Sequence, residues 1–357
     1  MKLGFFTMPM HPKEKDWRVS LREDRQTFQL ADELGFVEGY VGEHATDPEE
    51  NITSSALFLA TLVDCTKTMK LGTGTLNMPN HHPASTAANI AMLDHLLNGR
   101  FILGISPGAL PSDAEVYGNF DMQRPEMFLE SINHVLKIWE SEPPYDIIGK
   151  YWSISSARTH IPETRMGTIP KPLQRPHPPI VVTAVTPFSP GITQAAIRGW
   201  DPISANFLLP KWVNSHWTKY VEGCETGNRQ AELKNWRVAK TIFVAKDDQT
   251  AKRYALGEDG PYYHYYRSLF SKLKRRGALG VFKDDPKIPD DEVTLDGVME
   301  KLVIHGSPEK VTQELHQLRE VTGNFGTLLY AGVDWKDKEL AQNSMKLMAE
   351  KVMPQFD

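Results

Sequence analysis

The sequence predicts a closed (β/α)₈, or TIM, barrel with insertions, and three observations carry that expectation. Short apolar runs alternate with amphipathic runs along the whole chain. The apolar runs are continuous rather than alternating, as in a parallel sheet covered on both faces. About eight strand–helix pairs can be counted, the number that closes a barrel rather than an open sheet. A chain of 357 residues, 40% apolar, suits one such unit over 1–357 with insertions at 141–178 and 257–305.

The elements follow in order. Residues 3–6 are the first strand, and 21–34 a charged helix stopped by Gly35, which tolerates the positive φ of a helix end. Strand 39–42, helix 54–66 and strand 69–75 come next. Helix 83–97 ends at Asn98–Gly99, followed by strand 101–105. Residues 123–140 are a long amphipathic helix with Phe128, Ile132, Val135, Leu136 and Trp139 on one face. Strands at 179–183, 202–205, 238–245 and 325–331 complete the sheet. Between and after them lie helices at 190–199, 212–223, 248–256, 308–322 and 337–351. The proline-rich stretch 141–178 is expected to hold a hairpin around Tyr151–Trp152. The stretch 257–305, between the seventh and eighth strands, has no assigned element and reads as a lid, a binding loop or a mobile segment.

Composition excludes several classes. A net charge of −5 gives no electrostatic footprint for nucleic acid. No run approaches the ~18 apolar residues of a membrane span, and MKLGFFTMPM is too short for a signal peptide. Two cysteines, Cys65 and Cys224, make neither a disulfide framework nor a zinc pattern, so a reduced, cytoplasmic enzyme is expected. The basic run KLKRR at 272–276 reads as a solvated face.

Barrel chemistry collects at the C-terminal ends of strands, which selects VGEH at 41–44, Thr75–Asn77, Ser106–Gly108, 183–189 and 332–335. His44 is either a general acid/base or a rim histidine bonded to carbonyls. Metal binding by His44, His81 and His82 is not expected, because no ligand spacing supports it. In TAVTPFSPGIT, Ser189–Pro190 opens a helix. The turn is either a simple cap or an anion site served by backbone N–H groups. Arg124 is either that anion's counter-charge or an ordinary surface arginine. There is no dinucleotide fingerprint, P-loop or nucleophile elbow.

Taken together, MKLGFF, LADELGFVEGYVGEHA, LGTGTLNMPNHHP, LDHLLNGRFILGISPGALPSDAEVYG, PPIVVTAVTPFSP, VIHGSPEKVTQEL and TGNFGTLLYAGVDW run in order from first strand to last. In this order they resemble the bacterial-luciferase-like flavin monooxygenases, with PGALPSDA and the closing DW most similar to the limonene-monooxygenase-type branch. The resemblance implies FMN at the barrel mouth, delivered as FMNH₂ by a separate flavin reductase. Molecular oxygen would add as a C4a-peroxyflavin and insert one atom into a small apolar substrate (terpene, ketone or aldehyde). It implies that His44 moves protons at the flavin's reactive edge. Thr75, Asn77 and Ser106 would lie along the flavin, and Arg124, Thr186 and Ser189 would hold its phosphate. In luciferases the fourth-strand turn carries a cysteine followed by an arginine, where Ser106 and Pro107 stand here, so light emission is not expected.

Tyr117, Trp152, Phe188, Phe207, Trp335 and the 262–266 tyrosine cluster are aromatics of either core or pocket. Trp335 and Phe188 are kept as substrate-pocket candidates. A homodimer is expected from the same resemblance, with helices 54–66 and 83–97 as contacts. Two rivals stand beside this reading: a deazaflavin-dependent hydride-transfer enzyme on the same barrel, and a flavin-binding protein without catalysis.

Overall fold

The computed structural model describes residues 1–356. Eight parallel strands are β1 Lys2–Thr7, β2 Glu38–Val41, β3 Lys70–Thr73, β4 Phe101–Ser106, β5 Ile180–Ala184, β6 Asp201–Ser204, β7 Arg237–Val244 and β8 Thr327–Gly332. Neighbours pair in sequence order, as in Phe5↔Gly39, Val41↔Thr73, Leu71↔Phe101, Leu103↔Ile180 and Thr183↔Ile203. Pairing of β6 with β7 through Arg237↔Ile203, and of β8 with both β7 and β1, closes the ring. The expected barrel is present, with every expected strand displaced by no more than a residue or two at its ends.

Period-two alternation sorts each strand into an inner and an outer face. Phe6, Tyr40, Ile102, Val181, Ile203, Ala239 and Leu329, one from each of seven strands, form the interior layer. The eighth, β3, contributes Gly72, where a Cβ would come within 2.5 Å of the Tyr40 ring. The glycine makes room for the largest side chain in the layer. At the opposite end from the strand termini that carry VGEH, Glu38 takes Arg237 in a two-pronged ion pair at 2.7 and 3.1 Å. Outside, Phe5 meets Phe28 of the helix Trp17–Glu33 edge to face, and that helix in turn meets Phe58.

Three departures have local causes. The expected helix 54–66 stops at Ala60 and relaxes into turns. The expected strand 69–75 breaks after Thr73 and resumes as the two-residue strand Leu76–Asn77, which lies beside β4 with Asn77 opposite Ser106. The largest change is in 257–305, which is mostly folded. It holds the helices Pro261–Arg275 and Leu295–Leu302 and an extra strand, Val303–Gly306, that pairs with the last four residues of β7. The tyrosines of Pro261–Arg275 anchor it. Tyr262 donates to the carbonyl of Ile242, Tyr265 to Asn206 and Tyr266 shares a bond with Thr241. The hairpin in 141–178 is present as Asp146–Ile148 against Ser153–Ser155. No helix among the described residues is long and apolar enough to cross a membrane.

The seam between β1 and β8 is tied by charge. His11, 2% exposed, lies between Asp334 just past β8 and Asp24 of the first helix. Its Nδ1 is 2.5 Å from Asp334 Oδ1, and its Nε2 is 3.1 Å from both oxygens of Asp24. Lys15 adds contacts to Glu23 and Asp334 at 2.6 and 2.5 Å. Because both ring nitrogens face carboxylates, the ring is held as the cation. Burial by itself disfavours that charge, but Asp24 and Asp334 outweigh it and push the pKa up to about 9. A raised pKa stabilises fully below the unfolded value of 6.5, and the stabilisation is lost as pH climbs through 9. Thermal unfolding of His11→Gln should therefore show a loss on the order of 3 kcal/mol at pH 6, shrinking toward nothing by pH 10. An equal loss at both pH values would contradict the ionic account.

Candidate active site

Glu43 and His44 leave the end of β2 in opposite directions. The Glu43 carboxylate is buried and accepts from four donors. One oxygen takes the backbone N–H and hydroxyl of Ser55 at 2.8 and 2.6 Å. The other takes the backbone N–H of Asn77 at 2.9 Å and faces the His81 ring at 3.1 Å. Burial would raise its pKa, but His81, Asn77 and Ser55 outweigh burial and hold it below the ordinary carboxylate range. His81 is thus a partner of Glu43, and His82 caps the helix Pro83–Leu96 by accepting from Ala84.

His44 is clamped on its Nδ1 by Asp113 Oδ2 at 2.9 Å. Asp113 sits in the first turn of the short helix Pro111–Val116, and its second oxygen accepts from the backbone of Ala45 and Thr46 and the hydroxyl of Thr46. Those bonds fix the carboxylate before it meets the ring. On the other side, Nε2 is 3.5 Å from Glu50 Oε2. Burial lowers the His44 pKa and Lys272 works the same way, but Asp113 and Glu50 win and raise it above 6.5. Asp113, Glu50 and Lys272 were absent from the candidates read in the sequence. Only the PGALPSDA motif, where an acid follows a helix-opening proline, held a signal for Asp113. In KLKRR, Lys274, Arg275 and Arg276 are exposed as expected, but Lys272 is half-buried and bonded to Asp47 and Glu50 at 2.6 and 2.9 Å.

Thr75, Ser106 and Asn77 meet as one relay. Thr75 Oγ1 donates to Ser106 Oγ at 2.7 Å, and Ser106 donates to Asn77 Oδ1 at 3.0 Å. Ser106 also accepts from the backbone N–H of Gly108. Asn77 Nδ2 returns to the carbonyl of Glu43 at 3.2 Å, joining this row to β2. Arg124, the first residue of the helix Arg124–Glu140, donates to the carbonyl of Pro107 at 2.6 Å. Gly108 has φ +75, and a Cβ there would come 2.4 Å from the guanidinium. The positive φ requires glycine here, and the absent side chain leaves the guanidinium its place against the turn.

Thr186 and Ser189 lie on the neighbouring β5 rim, with no hydrogen bond to that row among the described residues. Thr186 is exposed, and its carbonyl holds the Nε2 of buried His216 at 2.9 Å. Burial pushes His216 down to about 4, so it is neutral. Ser189 caps the helix Pro190–Ile197, yet its hydroxyl makes no capping bond. Phe188 is 58% exposed, edge-on to Trp212, with its N–H bonded to Ser215. Trp335 does not share this rim. It is 7% exposed, among Phe5, Tyr254 and Tyr262 in the helix layer, with its N–H on Glu23. Its place corrects the pocket assignment, because the side chain after the β8 end turns outward.

His11, Glu23 and Asp334 bring three potential metal-ligand atoms within 4.8 Å of one another. Lys15 already fills that space and supplies the balancing charge. Replacing Glu43 by Gln turns one acceptor oxygen into an amide that faces two donors. Thermal or urea unfolding should show a loss of roughly 2 kcal/mol. An unchanged midpoint would mean the four donors are satisfied elsewhere.

A family profile described as luciferase-like monooxygenase matches residues 1–324. The 4-hydroxyprotoasukamycin monooxygenase of Streptomyces nodosus subsp. asukaensis is 28% identical, covering 100% of this chain and 92% of its own. Limonene 1,2-monooxygenase of Rhodococcus erythropolis is 25% identical over 99% and 86%. The oxygenating constituent of 3,6-diketocamphane monooxygenase from Pseudomonas putida, a type II Baeyer–Villiger monooxygenase solved with FMN, superposes with a TM-score of 0.88. It is 27% identical and covers 99% of both chains. The chain belongs to the luciferase-like monooxygenase family and is itself a monooxygenase.

Proposed function

We propose that the enzyme uses reduced FMN, supplied by a separate flavin reductase, and molecular oxygen to insert one oxygen atom into a small apolar terpene, ketone or aldehyde. The observation that carries this reading is the clamped His44–Asp113 pair beside the Thr75–Ser106–Asn77 row at one barrel mouth. The FMN bound in the diketocamphane structure supports the cofactor, and that protein's being only the oxygenating constituent of its monooxygenase supports a separate reductase.

The residues fit the cofactor. A phosphate dianion requires N–H donors, hydroxyls and a cation. The N-terminus of Pro190–Ile197 offers an uncommitted Ser189 hydroxyl, Thr186 is exposed, and Arg124, at the start of its helix, is bonded to the adjoining β4 turn. Thr75, Asn77 and Ser106 are the polar groups along which a flavin ring would lie. When bound, reduced FMN supplies the electron pair that activates dioxygen.

His44 handles the proton. Asp113 keeps Nδ1–H engaged, which fixes the ring plane and leaves Nε2 to give or take a proton toward the cofactor. Its raised pKa extends the protonated form to higher pH. The helix Pro261–Arg275, held down by its tyrosines, shelters the site from water. A second copy of the chain would cover Leu57, Met92 and Leu96, exposed at 70, 57 and 49% on or beside the expected contact helices.

Anaerobic titration with reduced FMN, followed by ¹⁸O₂ and a panel of cyclic terpenes and ketones, tests the function. Binding and transfer of a single labelled oxygen are expected. Arg124→Ala should weaken reduced-FMN binding roughly 10- to 100-fold. His44→Gln should bind normally but lose about 10²-fold in product formation. Binding of a deazaflavin in place of either FMN form would replace this reading by hydride transfer. Sedimentation should show a dimer in the wild type and a monomer in Met92→Glu, whereas a monomer in both removes the second copy.

A further inference from the structure

Glu50 has two oxygens with different fates. Oε1 lies 2.9 Å from the ammonium of Lys272. Oε2 is buried, has no hydrogen-bond partner, and lies 3.5 Å from His44 Nε2. A buried carboxylate oxygen left unbonded is costly, so its position calls for a partner that arrives in another state. The one ring nitrogen of His44 that Asp113 leaves open faces it.

The charged groups facing the imidazole come from three elements. Asp113 comes from Pro111–Val116, Asp47 and Glu50 from the loop after β2, and Lys272 from Pro261–Arg275. Lys272 binds Asp47 and Glu50 together, and His264 of the same helix stands 3.7 Å from Glu49. The helix is therefore latched to the very loop that flanks His44, through a cation that shares its carboxylate with the imidazole.

We propose that Lys272 is a positioning residue that couples the place of this helix to the proton on His44, with Glu50 as the shared carboxylate. With the helix docked, Lys272 draws the Glu50 charge away and Nε2 is free to act on what lies at the mouth. When the Lys272 end of the helix swings off the loop while its tyrosines stay anchored, the whole carboxylate charge turns to the ring, Nε2–H bonds to Oε2, and the proton is held there. Docking thus readies the histidine at the moment the site is sheltered. The electrostatics have the required signs, since a cation beside the ring disfavours its protonated form and a carboxylate favours it.

The meaning of this coupling rests on His44 being the proton-handling residue of the proposed oxygenation, but its test needs no cofactor. With ¹³C-labelled histidines, the titration midpoint of His44 is read by NMR in the protein alone, its signal assigned by loss in His44→Gln. Lys272→Met should raise the midpoint, and Lys272→Arg should leave it at the wild-type value. Glu50→Gln should lower it and abolish the effect of adding Lys272→Met. Asp113→Asn should lower it whatever stands at 272, which shows that the signal responds to a lost carboxylate. Proteolytic cleavage within 276–294 should accelerate about tenfold in Lys272→Met, as the open population grows. A midpoint unmoved by Lys272→Met, or moved equally on the Glu50→Gln background, overturns the coupling. Failure of the enzyme to bind reduced FMN would overturn the proposed oxygenation and leave these midpoints unaffected.

Discussion

The carboxylate of Glu43 is the constraint on which the active rim depends. Taking a charge out of water costs several kcal/mol unless it is paired and hydrogen-bonded. Here four donors meet it, drawn from Ser55 at the start of its helix, the Asn77 main chain and the His81 ring. Those donors belong to separate segments, so satisfying one buried acid sets the spacing between the ends of β2 and β3. Asn77 then faces Ser106 across the short strand beside β4, and the row of polar groups along the mouth follows. His44 is the next residue in the chain, so its backbone is fixed by its neighbour and its side chain by Asp113.

The same strand separates stability from chemistry by a few residues. Glu38 faces into the barrel and pairs with Arg237, Tyr40 fills the interior above Gly72, and Glu43–His44 come out at the rim. A two-residue period brings Glu38 and the aromatic filler to the inside of one short strand, and His44 continues the same parity past its end. Such a division is expected of this barrel, in which the bottom carries stability and the top carries function.

The barrel was legible because continuous apolar strands between amphipathic helices leave few alternatives, and VGEH was legible because strand ends point to the mouth. What escaped the sequence depends on contacts between distant residues. Val303–Gly306 is a strand only because β7 offers a free edge beyond its pairing with β6, and four residues with a central histidine carry no period of their own. Asp113 lies 69 residues from His44, and Lys272 lies 222 from Glu50. Charge patterning along one helix reads KLKRR as solvated, since nothing local says that two acids wait above it. Trp335 misled for the reverse reason. A strand-end position was visible, but the outward turn that buries the ring against Phe5 was not.

The two charged clusters at the mouth are one structure. The clamp at the β1–β8 seam alternates in sign through Asp24, His11, Asp334, Lys15 and Glu23. The latch alternates in the same way through Asp113, His44, Glu50, Lys272 and Asp47. They are joined by main chain, because Met10 bridges Glu50 and the N–H of His11 donates to the carbonyl of Glu49. Alternation lets each buried charge be offset by its neighbours, so the clusters tolerate burial that any single member would not. The join also gives the flanking loop a fixed side and a movable side. The His11 clamp ties it to β8 and the first helix, while Lys272 ties it to the end of a helix whose opposite half is anchored by Tyr262, Tyr265 and Tyr266. In the proposed coupling, a shift of the Lys272 end of that helix is taken up at Glu50 and His44.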